Sequence, residues 1–171
     1  GVEEALAAGM NIMAFVTGRG KRSIEDHFDN AFELESQLSG TSKESYLTEI
    51  KTVIESATFT YVRQRQMLGL GNAILTGEHL IGNEPFAVVL ADDLCDCNES
   101  GVLSQMNEIY NKYQCSIIAI EEVSMKKINN YGVVAGHLID ETNNVYRVTG
   151  MVEKPEPKDA PTNMAIIGRY I

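Results

Sequence analysis

Basic residues are scarce in this chain: 14 Lys and Arg stand against 24 Asp and Glu, a formal net charge of −10. Nucleic-acid binding draws most of its affinity from a positive footprint, so broad nucleic-acid binding is disfavoured and no nucleic-acid partner is expected. Small anionic ligands are not excluded, because one lysine, arginine or metal ion inverts the field within a single cleft. Long apolar runs are missing too. No stretch approaches the roughly 20 apolar residues that cross a bilayer, and no basic segment leads into an apolar one as in a secretory signal. The expectation is a cytoplasmic protein with no membrane partner. Cysteine is limited to Cys95, Cys97 and Cys115, an odd number with spacing unlike a zinc knuckle or a redox pair. Reduced thiols fit that compartment. A cysteine nucleophile needs a base, and His27, His79 and His137 stand in unrelated contexts.

What is present suits one folded domain across residues 1–171. The opening GVEEALAAG reads as the second half of a helix, and the closing MAIIGRYI as a strand with no helix after it. Both ends are therefore expected to be cut from a longer protein. Helices are expected at Val2–Ala8, Ser23–Phe28 with Ser23 as its cap, Phe32–Leu38, Lys43–Ala57, Gly71–Ile81 and Val102–Tyr113. Strands are expected at Asn11–Val16, Thr58–Arg63, Phe86–Leu90, Ser116–Glu121, Tyr131–Leu138, Val145–Val152 and Met164–Tyr170. Strands that alternate with helices predict an α/β fold, a mostly parallel mixed sheet flanked by helices, with strand-rich sequence added after residue 130.

Such sheets bind ligands beyond the carboxyl ends of their strands. Three segments stand there. Phe86–Leu90 runs into Ala91, Asp92 and Asp93. Two carboxylates leaving a buried strand need solvent, hydrogen bonds or a cation. Mg²⁺ takes one or two carboxylates together with substrate phosphates, and a pair of loop-capping aspartates is the equally ready alternative. Arg63 and Gln64 lead through Gly69-Leu70-Gly71 into a helix. Glycines there admit a ligand close to the backbone, and a glutamine amide both donates and accepts, as reading a base edge requires. The third glycine of a dinucleotide fingerprint is absent, which disfavours a nicotinamide dehydrogenase. An ordinary strand-to-helix turn is the plain alternative. Finally, Glu153-Lys154-Pro155 closes a strand, and Gly132 stands at a strand start. Lys154 could neutralise a phosphate and Glu153 could accept from sugar hydroxyls; a weak surface ion pair is the alternative.

Taken in order, VTGRGKRSIEDHFD, FELE, YVRQRQMLGLGNAIL, IGNEPFAVVLADD, YGVV, MVEKP and NMAIIGRYI resemble the bacterial UTP–glucose-1-phosphate uridylyltransferases along essentially the whole chain. The resemblance implies a Rossmann-like sugar-nucleotidyltransferase core that joins UTP and glucose 1-phosphate into UDP-glucose and pyrophosphate. It implies uracil contacts from Gln64 and Gly69, a Mg²⁺ ligand in Asp92, glucose contacts from Gly132 and Glu153, and a phosphate contact from Lys154 as the catalytic cation. It implies a homo-oligomer for the intact protein. The sugar phosphate oxygen is then itself the nucleophile, so positioning and charge neutralisation are needed more than a side-chain nucleophile.

The sequence departs from that family in places. The Gly-x-Gly-Thr-Arg loop and the Asp-x-Gly segment with a second metal ligand are absent, so little transferase activity is expected of these 171 residues alone. Asn72 replaces a usual histidine, and Leu68 a frequent lysine. A sister enzyme for another nucleotide or sugar phosphate, and a non-catalytic UDP-sugar-binding module, are the alternative functions.

Overall fold

The structure is a computed structural model describing residues 1–29, 32–96 and 100–171. Cys97 and the side chain of Leu34 lie outside the described residues. The chain forms two compact units, Gly1–Phe86 and Ala87–Ile171.

The first unit opens with helix α1 (Val2–Ala7). It stops at Gly9, whose φ of +81° suits glycine. The amides of Gly9 and Met10 turn back to the carbonyls of Leu6 and Ala5, both at 2.9 Å, closing the helix end. Strand β1 (Ile12–Thr17) follows, then α2 (Arg22–His27), α3 (Phe32–Leu38), α4 (Glu44–Glu55) and strand β2 (Thr58–Arg63). β1 and β2 pair in parallel, Ile12 against Thr58 through Thr17 against Arg63. One face of the pair carries Phe15, Phe59 and Tyr61. Phe28 covers it, its ring 5.3 Å from Phe15 and 4.7 Å from Phe59. That aromatic cluster is what fixes α2 over the strands.

Ser23 does not cap α2. The cap is Lys21, without a side-chain bond, and the helix starts one residue earlier than expected. The segment expected as one helix over Gly71–Ile81 is two, α5 (Leu70–Thr76) and α6 (Glu78–Ile81). Gly77 separates them, its amide bonded to the Ile74 carbonyl at 2.9 Å. The apolar stripe of α4 forms on a helix as its spacing predicts, yet no residue of that helix is buried and Tyr46 is 63% exposed.

The second unit holds β3 (Val88–Val89), α7 (Val102–Tyr113), β4 (Ile118–Glu122), a 3-10 turn (Met125–Asn130), β5 (Gly132–Asp140), β6 (Val145–Glu153) and β7 (Met164–Tyr170). β7 is the centre of this sheet. Tyr170 pairs with both Val88 and Ile118, and Ala165 with both Glu121 and Val133. A strand has two edges, so β4 takes one edge and β3 and β5 share the other, end to end. All these pairings, and β5 with β6, are antiparallel. The expectation of parallel pairing thus holds for β1 and β2 and not for the second unit. There β3 and β4 do point the same way, but β7 is inserted antiparallel between them.

The core of this unit is Leu103 and Met106 on α7, Ile128, Val133, Val134, Met164 and Ala165, all with under a tenth of their surface exposed. Leu103 and Met106 lie one helical turn apart, hence on one face. Gly136 marks a bulge in β5: a β-carbon there would fall 2.6 Å from the Arg147 carbonyl oxygen.

Candidate functional site

β3 ends where the first predicted segment begins. The Leu90 amide still reaches the Gly168 carbonyl at 2.9 Å, and the chain then turns through Ala91 and Asp92. The two aspartates separate at this point. Asp93 folds back, and its Oδ2 accepts from the Gly168 amide at 2.6 Å. Asp92 is exposed on the turn. Asp93 is therefore the capping carboxylate, and Asp92 is the one left to meet solvent or a ligand.

The loop that carries Asp92 is fixed from below by Arg169, only 1% exposed. Its Nη1 donates to the carbonyls of Leu90 (3.2 Å) and Gly168 (3.0 Å), and its Nη2 to the Asp93 carbonyl (3.0 Å). Charge-assisted bonds of this kind contribute about 1.5–3 kcal/mol each, and they offset the cost of burying the guanidinium. Gly168 lets the loop sit this close. A β-carbon there would meet Leu90 Cβ at 2.7 Å and Asp93 Cβ at 3.1 Å. Sequence reading passed over Arg169. The signal was available: one arginine within an otherwise apolar strand, where a charge is tolerated only with partners.

The third predicted segment lies at the end of β6. Glu153 pairs with Gly132 in register. A β-carbon on Gly132 would sit 3.1 Å from Glu153 Oε2 and 3.3 Å from Ile166 Cδ1, so the glycine makes room for the carboxylate. Lys154 continues the ladder through its amide, 3.0 Å from the Tyr131 carbonyl. Its φ is +46°, and Pro155 follows. A lysine in the left-handed region directly before proline is strained, and such strain gathers at functional sites. Its Nζ stands 3.7 Å from Glu153 Oε1 with both side chains exposed, a weak pair that leaves the ammonium available.

β7 brings these two segments together. Ile166 touches the Gly132 position, and Gly168, two residues on along the same strand, binds Leu90 and Asp93. The end of β3 and the start of β5 therefore both lie against β7, and Glu153 at the end of β6 is the register partner of Gly132 at that start. Tyr170 registers both segments. Burial pushes its phenol pKa up, and the carboxylates of Asp93 and then Glu153 push it further in the same direction.

Gln64 and Gly69 belong to the first unit. The Gln64 amide holds the end of β1 by donating to the Thr17 carbonyl at 2.9 Å. Its side-chain Nε2 donates to Asn72 Oδ1 at 2.9 Å and to the Gly69 carbonyl at 3.3 Å. Gly69 caps α5 with φ +89°, a conformation that favours glycine. Asn72 thus acquires a role as the acceptor that orients Gln64, which the sequence did not reveal. Among the described residues no three His, Cys, Asp or Glu side chains are grouped to hold a metal unaided. A lone carboxylate such as Asp92 matches a Mg²⁺ ion whose remaining ligands are water and phosphate oxygens.

The family model described as Nucleotidyl transferase matches residues 4–171. The chain is 58% identical over 172 aligned positions to a UTP–glucose-1-phosphate uridylyltransferase of Pseudomonas aeruginosa, covering 100% of this chain and 61% of that protein. Among solved structures it is similar to an apo UDP-glucose pyrophosphorylase, with TM-score 0.94, 58% identity, and coverage of 99% of this chain and 62% of the other. It is similar also to a UDP-glucose pyrophosphorylase complexed with UDP-glucose, with TM-score 0.89, 55% identity, and coverage of 99% and 61%. The chain thus spans about three fifths of the length of these relatives. The α/β nucleotidyltransferase architecture expected from the sequence agrees with these likenesses.

Proposed function

This chain belongs to the nucleotidyl transferase family, and from that premise we propose that it is the part of a UTP–glucose-1-phosphate uridylyltransferase that holds the base, the sugar and one metal carboxylate. The observation that carries this reading is that β7 borders both segments: Gly168 binds Asp93 after β3, and Ile166, two residues before it, lies against Gly132, the register partner of Glu153. The two segments supply an exposed carboxylate, a glycine gap with a carboxylate over it, and a strained lysine. A phosphorylated sugar needs that set: an acceptor for hydroxyls, a cation for phosphate, and a metal ligand.

In this reading Gln64 and Gly69 contact the uracil, and Gly132 and Glu153 contact glucose. Lys154 neutralises the phosphate of glucose 1-phosphate, whose oxygen attacks the α-phosphorus of UTP as pyrophosphate leaves. Asp92 would hold Mg²⁺, and the ion when bound would neutralise phosphate oxygens. The chain's own residues orient the two substrates and supply fixed charge. The reading treats residues 1–171 as one nucleotidyltransferase domain of a cytoplasmic homo-oligomer. Among the described residues no helix is long and apolar enough to cross a membrane.

Titration calorimetry with UDP-glucose, with and without Mg²⁺, tests it. The expected result is binding strengthened by Mg²⁺ in the wild type and insensitive to Mg²⁺ in Asp92→Ala. Mg²⁺-dependent binding that survives Asp92→Ala would remove the metal assignment. Equal affinity for dTDP-glucose would favour the sister-enzyme reading, because Gln64 serves thymine as well as uracil.

A further inference from the structure

We infer that the carboxyl ends of β1 and β2 carry a phosphate-binding hollow, about 420 Å³, lined by Arg19, Gly20, Arg22, Ser23 and Arg63. The hollow itself stands apart from the uridylyltransferase reading, and only its nucleotide source rests on that reading. The hollow follows from the local fold. Thr17 and Arg63 are register partners at the ends of two parallel strands, so their side chains leave the same face as Phe15 and Tyr61. Phe28 stacks on that face and holds α2 over it. The turn after β1, with Gly20 at φ +82°, then brings the chain back into α2 and sets Arg19 and Arg22 around the space that Arg63 borders.

Three arginines line one hollow in a chain of net charge −10. The ion pairs among the described residues are Lys51 with Glu35, Lys112 with Asp140 and Lys154 with Glu153. α2 carries two acids: Glu25 Oε1 accepts from the hydroxyl of Thr17, itself 3% exposed, at 3.2 Å, and Asp26, one turn on from Arg22, is exposed and makes none of the ion pairs above. The three arginines are exposed to solvent and make none of these ion pairs, so their guanidiniums can take an anion from solution. Planar forks match the paired oxygens of a phosphate, stay charged at every working pH, and bind a group with two or three phosphates better than one. The ligand class is accordingly a di- or triphosphate. Its source is either the phosphate chain of a nucleotide, since Arg63 directly precedes Gln64, or a separate phosphorylated metabolite.

Calorimetry with inorganic pyrophosphate at low salt, with a chelator present, reads the site apart from any Mg²⁺-dependent UDP-glucose binding. One equivalent should bind the wild-type chain, and Arg22→Gln with Arg63→Gln should weaken it by roughly tenfold or more. Arg63→Lys keeps the charge and loses the fork, so it should fall between, and it covers the case in which the double variant does not fold. Arg147→Gln, outside the hollow, should bind as the wild type does. If UTP displaces pyrophosphate, the hollow serves the nucleotide; if both bind together, it serves a separate phosphorylated ligand. The inference is overturned if pyrophosphate does not bind the wild type, or if Arg147→Gln weakens it as much as the hollow variants do.

Discussion

A positive charge with 1% of its surface exposed, as on Arg169, persists only where acceptors surround it. The acceptors here are backbone carbonyls of the loop that carries Asp92, so the residue links stability to the site. Arg169→Met removes the donor and leaves the Leu90 and Asp93 carbonyls without it. The expected cost is about 1–3 kcal/mol for each carbonyl left without its donor, read by urea denaturation. Arg169→Lys restores charge without the fork and should recover only part. Gly168→Ala presses a methyl to 2.7 Å from Leu90 Cβ. About 1–3 kcal/mol should be lost, as for other overpacked sites. Lys154 is the contrasting case, since its side chain is exposed and weakly paired. Lys154→Ala should leave the urea midpoint nearly unchanged and weaken glucose 1-phosphate binding by roughly tenfold, as calorimetry would measure. A loss of stability equal to that of Arg169→Met would instead mark Lys154 as structural. These residues also show where sequence was informative. Asp92 was legible because carboxylates after a buried strand are conspicuous. Its difference from Asp93 was not, because that depends on the Gly168 amide 75 positions away. Arg169 and Tyr170 read as ordinary strand residues until β7 was known to be the central strand.

Among the elements, β2, α7 and β7 lie at the residues their patterns predict, Thr58–Arg63, Val102–Tyr113 and Met164–Tyr170. β-branched and aromatic runs, or a Leu103–Met106 face, specify these locally. Strand direction was not legible, since alternation of strands and helices does not say that β7 enters between β3 and β4. The 3-10 turn at Met125–Asn130 was also missed, having no helical stripe and only Ser124 as a cap. One tether between elements gives a pH prediction. Lys112 on α7 donates to Asp140 Oδ2 at 2.9 Å, at the turn between β5 and β6. That bond, then one from Asn143, holds the Asp140 carboxyl below its ordinary value of 3.8, at about 2. A depressed folded pKa contributes stability above the ordinary carboxylate value and loses it as pH falls through the folded one. The tether should therefore be intact at neutral pH and fail between about 4 and about 2. A carboxyl-detected NMR titration should place Asp140 near 2 in the wild type and nearer 3.8 in Lys112→Met. Identical titrations in the two proteins would remove the tether.

At the scale of the whole molecule, the charge of −10 opposes the polyanions that the proposed reaction consumes. Fields of this kind act over about a Debye length, ~10 Å at 0.1 M salt, so distant carboxylates repel an approaching nucleotide while nearby cations attract it. Most proteins that take anions steer them with a positive face, and their association slows as salt screens the attraction. Here the long-range term has the opposite sign, and the cation assigned to the sugar phosphate, Lys154, is single and local. Added salt should screen the repulsion first. The association rate for UDP-glucose with Mg²⁺ present, followed by stopped flow, should stay level or rise as NaCl goes from roughly 20 to roughly 150 mM, over which the screening length shrinks severalfold. Dissociation should quicken over the same range as the short-range pairs weaken. The two trends together would show that the acid surface sets the approach and the local cations set the residence. A steep fall in association rate with salt would mean that the basic groups govern approach as well, and that the net charge of the chain is a poor guide to the field its ligands meet.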